Sequence, residues 1–240
     1  MKKGLLYSLV GVTMAFIGIL AYNKFKNKKI TIDTKTTSNN FWKKVLYGVI
    51  SVEYGFNTPC NNITGRGCRG KRYTDVIDLD GGTIGIAHFA SGGLKKVYEA
   101  MDTEKYFGRS EKEMTDNYAF KKSGASNNKW WIDGFTRWVN DRRNDKVQDK
   151  LFKTSRQQAV NDAKKNGWKT DREFAIAVGV SNSYGNSGFR TKASRYNWDA
   201  EKIINAYVYK FGNEFSPHKN KRKNQIDKWF PKNKQLKINL

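Results

Sequence analysis

Glu53 is the residue of this chain whose position best suits acid–base chemistry. Apolar residues at three- and four-residue spacing precede it, which predicts an amphipathic helix from Asn39 with Glu53 on the buried face. Burial disfavours the charged form of a carboxyl group, so we expect the pKa of Glu53 to be raised, as a general acid near neutral pH requires. If the helix instead frays before Gly55, Glu53 turns toward solvent and has no such role.

Two further carboxylates, Asp78 and Asp80, belong to a predicted β-hairpin. Alternating apolar and polar residues predict a strand over 73–80 with both carboxylates on one face, and Gly81-Gly82 supplies a tight turn before a second strand over 83–88. Asp before two glycines is also common in turns that carry no chemistry. This alternative applies more strongly to Asp80 than to Asp78.

The rest of the chain is predicted to be mostly helical. A capping box at Thr170 to Glu173 starts a helix whose next residues, 174–180, are apolar on nearly every face, so this helix is expected at the centre of the core and to end within 182–188. A charged helix before it is expected to end near Gly167. The Trp130-Trp131 pair begins an aromatic-rich run at helical spacing with Phe135 and Trp138, which favours core packing of the pair over stacking on a sugar ring.

Residues 4–22 carry no charge, are mostly apolar and are long enough to cross a bilayer. No small residue stands at position 19, where cleavage after Ala21 would need one, so an uncleaved anchor is favoured over a signal peptide. The lysines that follow outnumber those that precede, which favours a cytoplasmic location for the remaining chain. This orientation conflicts with an envelope substrate.

The predicted organisation is an N-terminal membrane anchor with basic flanks, a linker, one catalytic domain and a basic C-terminal tail. These parts span residues 1–29, 30–38, 39–215 and 216–240.

The chain has 240 residues and a formal net charge of +23, which attracts polyanions such as cell-wall polymer, anionic lipid or nucleic acid. No nucleic-acid motif accompanies the charge, so nucleic acid is the disfavoured partner. The histidine and cysteine spacings suit no metal site, and we predict no metal and no cofactor. Cys60 and Cys68 fit a small disulfide and two free thiols equally well.

The segment 78–89, Asp-Leu-Asp-Gly-Gly-Thr-Ile-Gly-Ile-Ala-His-Phe, closely resembles the hairpin of phage-type lysozymes, in which an Asp, a glycine turn and Thr-x-Gly-x-Gly-His follow a helix-terminal Glu. The spacing is also similar to that of the family 46 chitosanases, whose order of elements the chain resembles weakly up to about residue 190. Ala87 stands where the phage-type pattern has Gly, and the chain between Glu53 and Asp78 is longer. The resemblance implies an α+β fold, mostly helical and lysozyme-like, with a small β-hairpin beside the active-site cleft, here preceded by a single transmembrane helix.

The resemblance also implies roles for particular residues in cleaving a glycosidic bond. Glu53 is the expected general acid, Asp78 the base and Thr83 the hydroxyl that orients the attacking water, with Asp80 as the alternative second carboxylate. Substrate-binding candidates are His88, Arg156 and Gln157, although a histidine in such a place more often has a structural role.

These observations predict a membrane-anchored, muramidase-like glycosidase that acts on peptidoglycan, in a bacterial envelope or in a phage membrane or virion. A basic enzyme is attracted to the anionic bacterial wall and repelled by cationic chitosan, which favours peptidoglycan. The alternatives are a lytic transglycosylase on the same substrate, a chitosanase, and a non-catalytic basic protein that binds cell wall or nucleic acid.

Overall fold

A computed structural model of the chain describes residues 34–50, 76–77, 83–87, 89, 92–116 and 129–240. The described part is mostly helical, as predicted. Of the predicted site residues, Glu53, Asp78, Asp80 and His88 lie outside it, as do the cysteines and the expected anchor at 4–22. None of the helices in the described ranges combines the length and the apolar character that a bilayer crossing needs.

All described residues belong to one compact unit, Thr34–Leu240. Its helices are α1 (Thr34–Lys43), which continues as a π-helical segment (Lys44–Val49), α2 (Gly92–Glu99), α3 (Thr103–Phe107), α4 (Glu111–Asp116), α5 (Lys129–Asn140), α6 (Asn144–Lys165), α7 (Asp171–Arg195), α8 (Ala200–Val208), α9 (Pro217–Trp229) and a 3₁₀ turn (Lys232–Lys234). Helix α1 begins within residues 30–38, where a linker is predicted.

Helix α7 forms the centre of the described core. The predicted capping box is present, because the Thr170 hydroxyl accepts from the backbone N–H of Glu173 and the Glu173 carboxylate accepts from the backbone N–H of Thr170. Residues 174–180 are all buried. The helix breaks at Gly185, within the range 182–188 where its end is predicted, because this residue takes a non-helical conformation with φ 71° and ψ 170°. A second helical segment then continues to Arg195. Buried Phe189 continues the core beyond this kink.

Helix α6 packs along α7. It ends at Lys165 with Asn166 as its C-cap, close to Gly167, near which its end is predicted. The π-helical segment packs against α9, where Gly48 is in such close contact with Trp229 that a Cβ atom at Gly48 would lie 2.6 Å from the indole nitrogen. The apolar face predicted for the helix that begins at Asn39 is confirmed, because residues 45–50 are all buried.

The structure differs from the predicted basic tail at residues 216–240. Helix α9 lies inside this range, and its Ile226 and Arg222 are fully buried. The Arg222 guanidinium donates to the carbonyl of Gly179 at 2.7 Å and to the hydroxyl of Tyr207 at 2.9 Å. These contacts join α9 to α7 and α8, so the segment is part of the domain.

Two short strands pair in the described part of the chain. β1 (Val76–Ile77) and β2 (Thr83–Ile84) are antiparallel, with Ile77 opposite Thr83. The predicted second strand over 83–88 is shorter in the structure, because residues 85–87 form a turn. Of the strand predicted over 73–80, only 76–77 lie within the described residues. Residues 78–82 connect them and lie outside the described residues.

Arg172 connects the start of α7 to the C-terminal segment. Its side chain is 1% exposed and donates to Glu201, to Asp227 at 2.7 Å and to the carbonyl of Phe230 at 2.7 Å. We expect Arg172→Met to lower the free energy of unfolding by about 2–3 kcal/mol, because a buried carbonyl and two carboxylates lose their partner. Denaturant unfolding at neutral pH measures this, with Arg142→Met at an exposed turn as the control.

The same substitution should also reduce the acid sensitivity of the protein. Burial raises the pKa of Glu201 and of Asp227, but hydrogen bonds from Arg172 and from Lys232 or Lys223 outweigh it, and the pKa of each carboxyl is lowered. Their stabilisation is therefore complete above the unfolded values of about 4 and is lost as the pH falls through the lowered folded values. The stability difference between wild type and the variant should shrink between about pH 5 and pH 2, and a constant difference would contradict this.

Candidate active site

The part of the predicted site that the structure describes begins at Thr83, which is the first residue of β2 and the cross-strand partner of Ile77. Beyond β2 the chain makes a tight reversal. The backbone N–H of Ile84 donates to the carbonyl of Phe89 at 3.1 Å, and that of Phe89 donates back at 2.9 Å. These two bonds close the segment 84–89, which we call the hairpin loop.

Gln148 on α6 holds the hairpin loop in place. Its side-chain oxygen accepts from the backbone N–H of Ile86 at 3.1 Å, and the residue is fully buried. Gly85 lies directly against it with φ +69°, and a Cβ atom at this position would lie 2.1 Å from the same oxygen. Both the backbone conformation and the contact therefore require glycine.

Asp149, the next residue of α6, holds the π-helical segment. The hydroxyl of Tyr47 donates to Oδ2 of Asp149 at 3.0 Å, and Tyr47 is 3% exposed. Adjacent residues of one helix thus fasten two segments that are distant in sequence. Glu53 follows Val49, the last residue of the π-helical segment, by four residues.

The two predicted substrate-binding residues on α6 lie away from this double contact. Arg156 is two helical turns, or about 12 Å, further along α6 than Gln148. Its guanidinium donates to the carbonyl of Ser181 on α7 at 3.2 Å. Gln157 donates to the side chain of Asn161 at 3.1 Å on the same helix. The described contacts of both residues hold helices rather than surround a cleft.

The tryptophan pair separates into two environments. Trp131 is 1% exposed and donates from Nε1 to the hydroxyl of Tyr98 at 3.0 Å, which places it in the core as the helical spacing favours. Burial raises the pKa of Tyr98 to about 12, although this hydrogen bond acts in the opposite direction. Trp130 is half-buried, and the guanidinium of Arg109 stacks on its ring at 4.4 Å.

A groove lies beside the Tyr47–Asp149 contact, between α1 with its π-helical continuation and α6. Its volume is about 520 Å³. The lining side chains are Asn39, Trp42, Lys43, Leu46, Tyr47, Lys146, Asp149, Lys150, Phe152 and Lys153.

Sequence reasoning missed Gln148, Tyr47 and Asp149 as residues that support the site. The signal for Gln148 is its position on α6 one turn before buried Phe152, where an amide on an apolar face needs a buried partner. The partner itself, a backbone N–H from a distant loop, leaves no trace in the local pattern.

Comparison of the chain with protein-family models, with curated proteins and with solved structures found no match.

The contact between Gly85 and Gln148 can be tested against a matched glycine. Gly108 has nearly the same φ, +66°, but nothing lies within 4 Å of its missing Cβ. We expect Gly108→Ala to cost about 1 kcal/mol of unfolding free energy for the backbone alone. Gly85→Ala should cost about 1–3 kcal/mol more, because the methyl group displaces the Gln148 amide and its hydrogen bond. Denaturant unfolding of both variants measures the difference, and equal losses would show that the contact has no energetic weight.

Proposed function

We propose that this protein is a membrane-anchored, lysozyme-like glycosidase that cleaves the glycan strands of peptidoglycan. Glu53 protonates the leaving oxygen, Asp78 activates water as the base and Thr83 orients this water. The small hairpin lies beside the cleft, and residues 4–22 hold the enzyme at the membrane of a bacterial envelope or phage particle.

The observation that supports this proposal most is the double contact on α6. Gln148 and Asp149 bind the hairpin loop and the π-helical segment. Thr83 directly precedes the hairpin loop, and Glu53 follows the π-helical segment. Cleavage of a glycosidic bond needs two groups held at a set separation across the substrate. A single rigid helix that fastens both supporting segments suits this requirement, because neither segment can shift without losing a hydrogen bond to it.

The resemblance to phage-type lysozymes supports the choice of Asp78 as the base, because its register on Thr83 favours Asp78 over Asp80. A carboxylate and a hydroxyl can share the task of holding one water molecule. Asp80 stands next to Gly81, where an aspartate also has a turn role.

Charge supports peptidoglycan over chitosan as the substrate. The formal net charge of +23 draws the protein to wall polymers that bear carboxylates and phosphates and repels a polycation. This attraction acts within about 8 Å at physiological salt, so it concentrates the enzyme on the wall but does not select the bond that is cleaved. Bond selection in this proposal comes from the cleft.

The catalytic role of Glu53 can be tested by zymography of the full chain, renatured in gels that contain peptidoglycan or chitosan. Glu53→Gln should lower peptidoglycan clearance by about 100-fold or more, because the amide has no proton to donate. Glu99→Gln, at an exposed helix end, is the matched control and should clear normally. Near-ultraviolet circular dichroism identical to wild type shows that the fold is kept. Full peptidoglycan clearance by Glu53→Gln would contradict the assignment of Glu53 as the general acid. Wild-type protein that clears chitosan but not peptidoglycan would identify chitosan as the substrate.

The two aspartates can be separated by a pair of amide variants. We expect Asp78→Asn to lower peptidoglycan turnover by about 100-fold or more, and Asp80→Asn to lower it less than tenfold. Mass spectrometry of the released fragments gives a second measure, because a hydrolase that uses an activated water leaves reducing ends. Anhydro-sugar ends, together with activity retained in both variants, would instead support a lytic transglycosylase.

A further inference from the structure

The groove between α1 and α6 is formed by two helical stripes that face each other. Asn39, Trp42, Lys43 and Leu46 recur at three- and four-residue spacing on one wall, and Lys146, Asp149, Lys150 and Lys153 do so on the other. Side chains at such spacing lie on one face of a helix. The groove is therefore lined by one face of each helix.

The floor of the groove is apolar. Trp42, Leu46 and Phe152 line it with low exposure, 6%, 3% and 1%, and the rings of Trp42 and Phe152 meet edge to face with centroids 6.0 Å apart.

The rim of the groove is cationic. It carries four exposed lysines, at 43, 146, 150 and 153. The one lining carboxylate, Asp149, is partly buried and accepts from the hydroxyl of Tyr47. Within the described ranges none of these lysines forms an ion pair. Elsewhere in those ranges lysines pair with a carboxylate one turn away, as in Lys112–Asp116, Lys129–Asp133 and Lys210–Glu214. The groove thus concentrates positive charge that no ion pair compensates within the part of the chain that the structure describes.

We propose that this groove binds a single-chain anionic lipid. Its acyl chain lies on Trp42, Leu46 and Phe152, and its phosphate or carboxylate head group lies among the lysines of the rim. An apolar floor with a cationic edge matches an amphiphile better than a free anion, which gains nothing from the floor, or a neutral chain, which gains nothing from the rim. The volume of about 520 Å³ is within the usual range for small-ligand sites.

This proposal does not depend on the glycosidase activity. It assigns the protein a lipid contact in the domain itself, separate from the apolar residues 4–22. A groove of this kind selects an anionic membrane surface, whereas an apolar anchor does not discriminate between head groups.

The test is isothermal titration calorimetry of the full chain with dodecyl phosphate below its micelle concentration. We expect binding at one site per chain, with inorganic phosphate and the uncharged dodecyl maltoside each binding at least about tenfold more weakly. Two groove variants should weaken dodecyl phosphate binding by about tenfold or more. Lys146→Glu with Lys150→Glu inverts the charge of the rim, and Asn39→Trp fills the groove from an exposed position.

The matched control is Lys95→Glu with Lys96→Glu, an exposed pair on α2 that changes the net charge by the same amount. This variant should bind dodecyl phosphate like wild type. If the control pair weakens dodecyl phosphate binding equally, the loss is explained by long-range charge and the proposal fails. If neither groove variant changes this binding, the lipid binds at residues 4–22 or elsewhere and not in the groove. Inorganic phosphate that binds as tightly as dodecyl phosphate, or a soluble muropeptide that displaces it, would likewise overturn the lipid assignment.

Discussion

A buried amide that must find hydrogen-bond partners constrains the described structure around the hairpin. Gln148 has no exposed surface, and an unsatisfied amide in such a place costs about 1–3 kcal/mol. The backbone N–H of Ile86 meets part of this need, which brings the hairpin loop onto α6 and leaves room only for a glycine at position 85. The position of β2 and the orientation of Thr83's strand follow from this contact.

Buried arginines serve a comparable purpose where the C-terminal segment packs on α7. Arg172 and Arg222 are almost completely buried, and each donates to backbone carbonyls as well as to side chains. A planar guanidinium with several donors can satisfy groups on more than one helix at once, which a lysine does not do. In this way a lysine-rich C-terminal segment with few apolar residues is held against an apolar core helix.

The sequence was sufficient where local pattern decides the structure. The buried face through Val45 and Val49, the capping box at Thr170 and the apolar helix behind it follow from periodicity and end signals alone. The burial of helix α9 could not be predicted in this way. Its buried positions are an isoleucine and an arginine among lysines, a composition typical of a solvated surface. The roles of Gln148 and Tyr47 beside the predicted site could not be predicted either, because both residues bond to partners that are distant in the chain.

One pairing of distant residues bears on how the domain comes to be folded during synthesis. Residue 237 bridges to Thr170, and the backbone N–H of Asp171 donates to the carbonyl of Leu236 at 2.8 Å, so the first turn of α7 is completed by residues made some sixty-five positions later. A nascent chain that ends before these positions lacks a partner for the start of its core helix. The start of α7 is therefore synthesised well before its partners at 236 and 237. The domain reaches its full set of contacts only after residue 237 has left the ribosome.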